Sequence, residues 1–286
     1  MNAFQVLKLR GRAKPIVLFL MLFVSLFASA CSGERTRNDA EPFREETVKQ
    51  LLGLANYLYA NGDRATSVAV YRRIVDDDRA TGAVLMDVSK KLEAANALDS
   101  AAAGYERVTQ LDESNVDAFQ SLGRVLLRSG RLEDTVVAFQ RWIYLDSKNP
   151  EAYLRLAAAF DFAGRHGEAE AVYQSGLNEL DEENSDISMN YALSLALSGR
   201  FDLAVTRAVR TLRDGDIDRR HLQNAVLILA LAGETLEARN QGRPLGTFEI
   251  DLILRQANRL NDLESSADRA RSLGGFPAIP RRASTG

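Results

Sequence analysis

Apolar residues along the chain fall into short stripes with the three- and four-residue spacing of one helix face. Leu51, Leu54, Ala55 and Leu58 form one stripe, and Leu85, Val88, Ser89 and Leu92 repeat it at the same offsets. Phe119, Leu122, Gly123 and Leu126 follow, then Tyr153, Leu156, Ala157 and Phe160. Each unit of the series carries a residue tolerant of left-handed backbone: Gly62, Asn96, Gly130, Gly164, Gly199 and Gly233, at spacings of 34, 34, 34, 35 and 34. Five residues after each comes a small side chain (Ser67, Ala101, Thr135, Ala169, Ala204, Ala238), and in the first four units an aromatic follows four later: Tyr71, Tyr105, Phe139, Tyr173. The spacing predicts six helix pairs over residues 46–241. Small residues at unit positions 8 and 20 let helices A and B approach, and the glycine or asparagine at position 15 ends helix A.

This pattern resembles the tetratricopeptide repeat. The resemblance implies an all-α fold, a right-handed superhelical solenoid of about six repeats plus a terminal helix, whose A helices form a concave groove. Within a C-terminal capping region, residues 242–273, the amphipathic segment Phe248 to Leu263 is expected to close the stack. Residues 274–286 are expected to be disordered. Composition agrees, since alanine, leucine and arginine dominate and the chain holds only six prolines.

The first thirty-one residues have a different character. Lys8, Arg10, Arg12 and Lys14 precede the apolar run Ile16 to Ala30, which is shorter than the roughly 20 residues a membrane-spanning helix needs. Ala28, Ser29 and Ala30 before Cys31 resemble the lipobox of bacterial lipoproteins. The resemblance implies a signal peptide over residues 1–30, lipidation of Cys31, and a flexible tether over residues 31–45. With Ser32 following the cysteine, it also implies lipid anchoring at the periplasmic face of the outer membrane. Loss of residues 1–30 removes four positive charges, taking the chain from −3 to −7.

That charge excludes affinity built on phosphate neutralisation, so no nucleic-acid partner is expected. One cysteine and two histidines are too few for a disulfide framework or a Cys/His metal site. No cofactor, metal, small-molecule substrate or catalytic group is expected. His166 and His221 read as surface residues, and Trp142 as core.

Tetratricopeptide arrays present positions 2, 5, 9, 12 and 13 of each A helix to the groove. Projected here, these positions give Asn56, Tyr59, Met86, Lys90, Glu93, Gln120, Arg124, Arg128 and Asp161 at a polar end. The apolar end consists of Leu154, Phe162, Met189, Leu193, Leu197, Leu227 and Leu231. Lys90, Arg124 and Arg128 suit a carboxylate or acidic peptide segment, or else form a solvated basic face. The leucine-rich end suits an amphipathic partner helix, or else lies under the terminal helix 248–263.

Two segments, MNYALSLALSGRFDLAV (Met189 to Val205) and HLQNAVLILALAGETLEA (His221 to Ala238), resemble paired segments of the lipoproteins of tight-adherence, or Flp, pilus assembly. The resemblance implies a non-enzymatic adaptor that assembles or localises the pilus secretion apparatus, with the outer-membrane secretin or another pilus subunit as protein partner. The same anchor and fold also fit an outer-membrane scaffold recruiting peptidoglycan hydrolases or the protein-insertion machinery.

Overall fold

The computed structural model describes residues 40–180 and 184–273, with side chains from residue 47 onward. Cys31, the expected signal peptide and the 274–286 tail lie outside the described residues. The chain divides into two compact units, Met1–Thr47 and Val48–Gly286.

Six helix pairs follow one another: α1 (Ala40–Ala60) with α2 (Arg64–Val75), α3 (Gly82–Ala94) with α4 (Leu98–Leu111), α5 (Val116–Arg128) with α6 (Leu132–Leu145), α7 (Pro150–Phe162) with α8 (His166–Glu179), α9 (Ser185–Leu197) with α10 (Phe201–Asp214), and α11 (Arg219–Leu231) with α12 (Thr235–Gln241). A 3₁₀ turn at Arg243–Leu245 leads to α13 (Thr247–Asn261) and α14 (Ser266–Ser272). No strand occurs among the described residues. The architecture is a superhelical solenoid of tetratricopeptide-like repeats. Among the described helices none is long and apolar enough to cross a membrane.

The recurring turn has one cause in all six repeats. Gly62, Asn96, Gly130, Gly164, Gly199 and Gly233 all adopt positive φ, with Asn96 at +58°. The next residue's N–H then reaches back to the carbonyl five residues earlier, as in Asp63 to Leu58, Ala97 to Leu92 and Arg131 to Leu126, at 2.8–3.0 Å. This closure satisfies carbonyls at the end of helix A that have no partner within it.

The following B helix starts inside that closure, and α4, α6, α8, α10 and α12 have no side-chain N-cap. The A helices start after longer turns, where a polar side chain is required. Thr81, Asn115, Asn149, Asn184 and Asp218 cap α3, α5, α7, α9 and α11.

Close approach between helices follows from the small residues. Ser67 Oγ donates to Ala55 O at 2.9 Å, and a Cβ on Gly104 would fall 2.0 Å from Ser89 Oγ. A Cβ on Gly123 would lie 2.3 Å from the Phe139 ring. Trp142 is buried, as its position predicts.

The buried apolar side chains form two clusters that meet in the third repeat. One runs from Val48 to Ala138 and contains Leu85, Tyr105 and Leu126; the other runs from Val136 to Ala270 and contains Tyr153, Leu193 and Ile250.

One expectation needs correction, and two details add to the expected pattern. Helix α1 reaches back to Ala40, into the segment read as tether, and Pro42 is compatible with this because the first turn of a helix needs no N–H partner there. The sixth B helix stops after seven residues, and a chain reversal at Gly246, φ +86°, redirects the backbone into α13. A second terminal helix, α14, follows the expected one.

Candidate functional site

The projected residues lie on the A helices, and the two halves of the series differ in accessibility. In repeats 1–3 the projected residues remain at least partly exposed. Asn56, Tyr59, Met86, Gln120 and Arg124 are half-buried, whereas Lys90 and Arg128 are exposed. Asn56 Oδ1 accepts from Tyr71 OH at 2.7 Å, and Arg64 lies 5.8 Å over the Tyr59 ring.

The basic residues already hold a carboxylate, that of Glu93. Arg124 donates to both its oxygens, at 3.0 and 2.8 Å, and Arg128 adds a third bond at 2.9 Å. Arg128 also donates to Asn96 Oδ1 at 3.2 Å. Burial and the Glu93 charge push the Tyr105 phenol up to about 12. The carboxylate expected from a ligand is therefore supplied from within. This pairing was not expected from the sequence; the complementary charge 31 and 35 residues away, about one repeat along, is the signal that could have shown it. Of the three cations, Lys90 is the one with its ammonium left to solvent among the described residues.

In repeats 4–6 the groove is filled. Leu154, Asp161, Met189 and Leu193 are all buried, as are Leu197, Leu227 and Leu231, and Phe162 is half-buried. These positions are enclosed rather than presented. Of the two arrangements the sequence left open for this end, cover by the terminal helix 248–263 is found over the last A helix, while a further helix lies on the two A helices before it. Helix α13 packs on α11 through Ile250, Ile253, Ala257 and Leu260, and α14 folds back onto α7 and α9.

Asp161 has no solvent exposure and acts as an interior hub rather than a groove residue. Its Oδ1 accepts from Ser194 Oγ and from His166 Nδ1, both at 2.6 Å, and its Oδ2 from Tyr173 OH at 3.3 Å. Three donors from α8 and α9 offset the desolvation of the carboxylate and tie repeat 4 to repeat 5. Burial, reinforced by the Asp161 charge, raises the Tyr173 phenol well above its ordinary value. The Tyr173 ring stacks on Tyr191 at 5.5 Å, and the Arg207 guanidinium lies 4.2 Å over the Tyr191 ring.

Both histidines lie inward of the surface position expected of them. His166 orients on Asp161. His221 Nδ1 accepts the Asp218 N–H at 2.9 Å and its Nε2 faces Asp186 at 3.2 Å, completing the cap of α11. Neither contacts a nucleophile, and no group of three His, Cys, Asp or Glu among the described residues is placed to hold a metal ion.

The family described as bacterial transcriptional activator domain matches residues 82–188, which span repeats two to four and the start of the fifth. A tetratricopeptide repeat protein from Parabacteroides merdae shares the fold, with a TM-score of 0.54, 12% identity, and 81% of this chain and 94% of that chain covered. MamA overlaps at a TM-score of 0.44 with 22% identity over 64% of this chain and 96% of that one. Pseudomonas aeruginosa pilF overlaps at a TM-score of 0.44 with 13% identity over 74% and 99%. No curated protein sequence matches the chain. The chain has the fold of a tetratricopeptide-like repeat protein.

Proposed function

We propose that the chain is a lipid-anchored adaptor of the tight-adherence pilus apparatus, holding a partner protein on the open concave face of repeats 1–3. The observation that carries the location is the contrast between the two halves. The chain's own C-terminus covers repeats 4–6, whereas Met86, Lys90, Gln120 and Arg124 stay accessible on adjacent A helices. The pilus reading is supported by the segments Met189–Val205 and His221–Ala238. Placement at the periplasmic face of the outer membrane is supported by the lipobox-like residues before Cys31. The secretin or another pilus subunit fits as partner.

Crosslinking pull-down from native membranes tests this, comparing the unaltered chain with Lys90→Glu/Gln120→Arg, which alters the open face and leaves the core intact. The altered chain is expected to lose pilus-apparatus subunits from the captured set. Capture of peptidoglycan hydrolases or the insertion machinery instead, with surface pili normal after gene deletion, would overturn the pilus assignment. Cys31→Ser is expected to move the folded chain out of the membrane fraction, and unchanged partitioning would refute anchoring.

A further inference from the structure

The C-terminal segment meets the groove through one repeated interaction. Asn261 Nδ2 donates to Leu231 O at 3.4 Å, Arg269 Nε to Leu197 O at 2.9 Å, and Arg271 Nη1 to Phe162 O at 2.7 Å. Leu231, Leu197 and Phe162 occupy position 13 of repeats 6, 5 and 4, the last residue of each A helix. The segment therefore runs back along the solenoid and places one donor on the same carbonyl in three successive repeats. These carbonyls belong to helix ends that lack intrahelical partners and carry the negative end of the helix dipole, which favours a guanidinium.

The two terminal helices are held very differently. Helix α13 has fifteen residues and buries four large or small apolar side chains against α11. Helix α14 has seven residues, fewer than an isolated helix needs, and buries only Ala270. It is further held by Ala267 over the turn at Gly164, by the partly buried Leu263 and Leu273 at either end, and by the two arginine contacts, with the Arg271 side chain 55% exposed. Asp262–Ser265 joins the two as a short link.

We infer that α13 is a permanent cap, whereas α14 is a removable occupant of the groove of repeats 4 and 5. The ligand that displaces it is a partner's short helix with a small apolar face and arginines aimed at the position-13 carbonyls. This deepens the adaptor reading and rests on it: the partner on repeats 1–3 gains a second, latched contact surface.

The probe is a fluorescein-labelled peptide with the sequence of residues 262–273, added to the full chain and to full-chain Arg269→Ala/Arg271→Ala. In the unaltered chain the tethered segment competes at about millimolar effective concentration, so binding in trans is expected to be weak. The double variant, whose own segment is released, is expected to bind the peptide at least tenfold tighter. A peptide carrying the same two alanines is expected not to bind. Hydrogen exchange supplies a second readout on the unaltered chain, with amides of residues 266–273 expected to exchange at least a hundredfold faster than those of 250–260.

Equal peptide binding by both chains, joint exchange of α13 and α14, or a lowered melting temperature in the double variant without binding would each overturn the inference and make α14 a structural cap. If the double variant captures the native partner no better than the unaltered chain, the latch fails while the adaptor reading stands. Peptide binding as expected, with no partner captured by either chain, supports the latch and removes the adaptor reading.

Discussion

Asn96 stands where five other repeats have glycine, and its φ of +58° carries a side-chain penalty that glycine avoids. The side chain partly compensates by accepting from Arg128. Asn96→Gly is therefore expected to change stability by no more than about 1 kcal/mol, whereas Asn96→Val, β-branched and without the acceptor, is expected to lose about 2 kcal/mol. Urea unfolding of the pair measures the difference, and equal losses would show that the turn is not held by its backbone. Asp161 is the opposite case, a charged residue whose removal strands three donors in the core. Asp161→Ala is expected to cost about 3 kcal/mol by the same measurement. A loss under 1 kcal/mol would mean that His166, Ser194 and Tyr173 find other partners.

At the level of elements, contact between α3 and α4 depends on Gly104, whose Cβ would overlap Ser89 Oγ. Gly104→Ala raises helix propensity by about 1 kcal/mol, yet overpacking of 1–3 kcal/mol should outweigh it, so net destabilisation is expected in thermal unfolding. A stabilised variant would show that the two helices have room to separate. The A and B helices were legible in the residues because stripes, small contact positions and turn glycines all repeat with one period. Helix α14 was less legible. Its start does carry a signal, Ser265 followed by Asp268 three residues on, where the serine side chain accepts the aspartate N–H at 3.4 Å. A seven-residue helix has too little periodicity to announce itself, and its position over α7 and α9 depends on contacts 72 and 109 residues away.

Over the whole molecule, several carboxyl groups lie below their ordinary values. The Tyr191 hydroxyl, with help from Arg200, lowers Glu170; His221 lowers Asp186; and the Arg79 guanidinium takes Asp77 to about 2. The folded chain releases these protons more readily than the unfolded one. Their stabilisation is therefore complete above about pH 5 and fades as pH falls toward 2. Tyrosines act in the opposite sense. Burial raises Tyr105 from 10.0 to about 12 and raises Tyr173 well above its ordinary value, so their contribution is complete below about pH 10 and fades above it. Melting temperature followed by circular dichroism should show a plateau between about pH 5 and 9 with a fall on each side. A flat profile down to pH 2.5 would exclude native carboxylate pairing as a source of stability.

The residues alone determined the repeat, its length and its turns. These rest on interactions within a few residues, and every repeat states them again. They also put Asn56, Met86, Lys90, Gln120 and Arg124 at positions 5 and 9 of the first three A helices, because helical periodicity places side chains without reference to the rest of the chain. Only the tertiary structure decided which of the projected positions stay accessible. Glu93 neutralises arginines of the next repeat, Asp161 turns inward to three donors, and the C-terminus doubles back over repeats 4–6. Each outcome depends on side chains from other helices converging on one site, at separations from 5 to 109 residues, which the repeat pattern of a single helix does not encode.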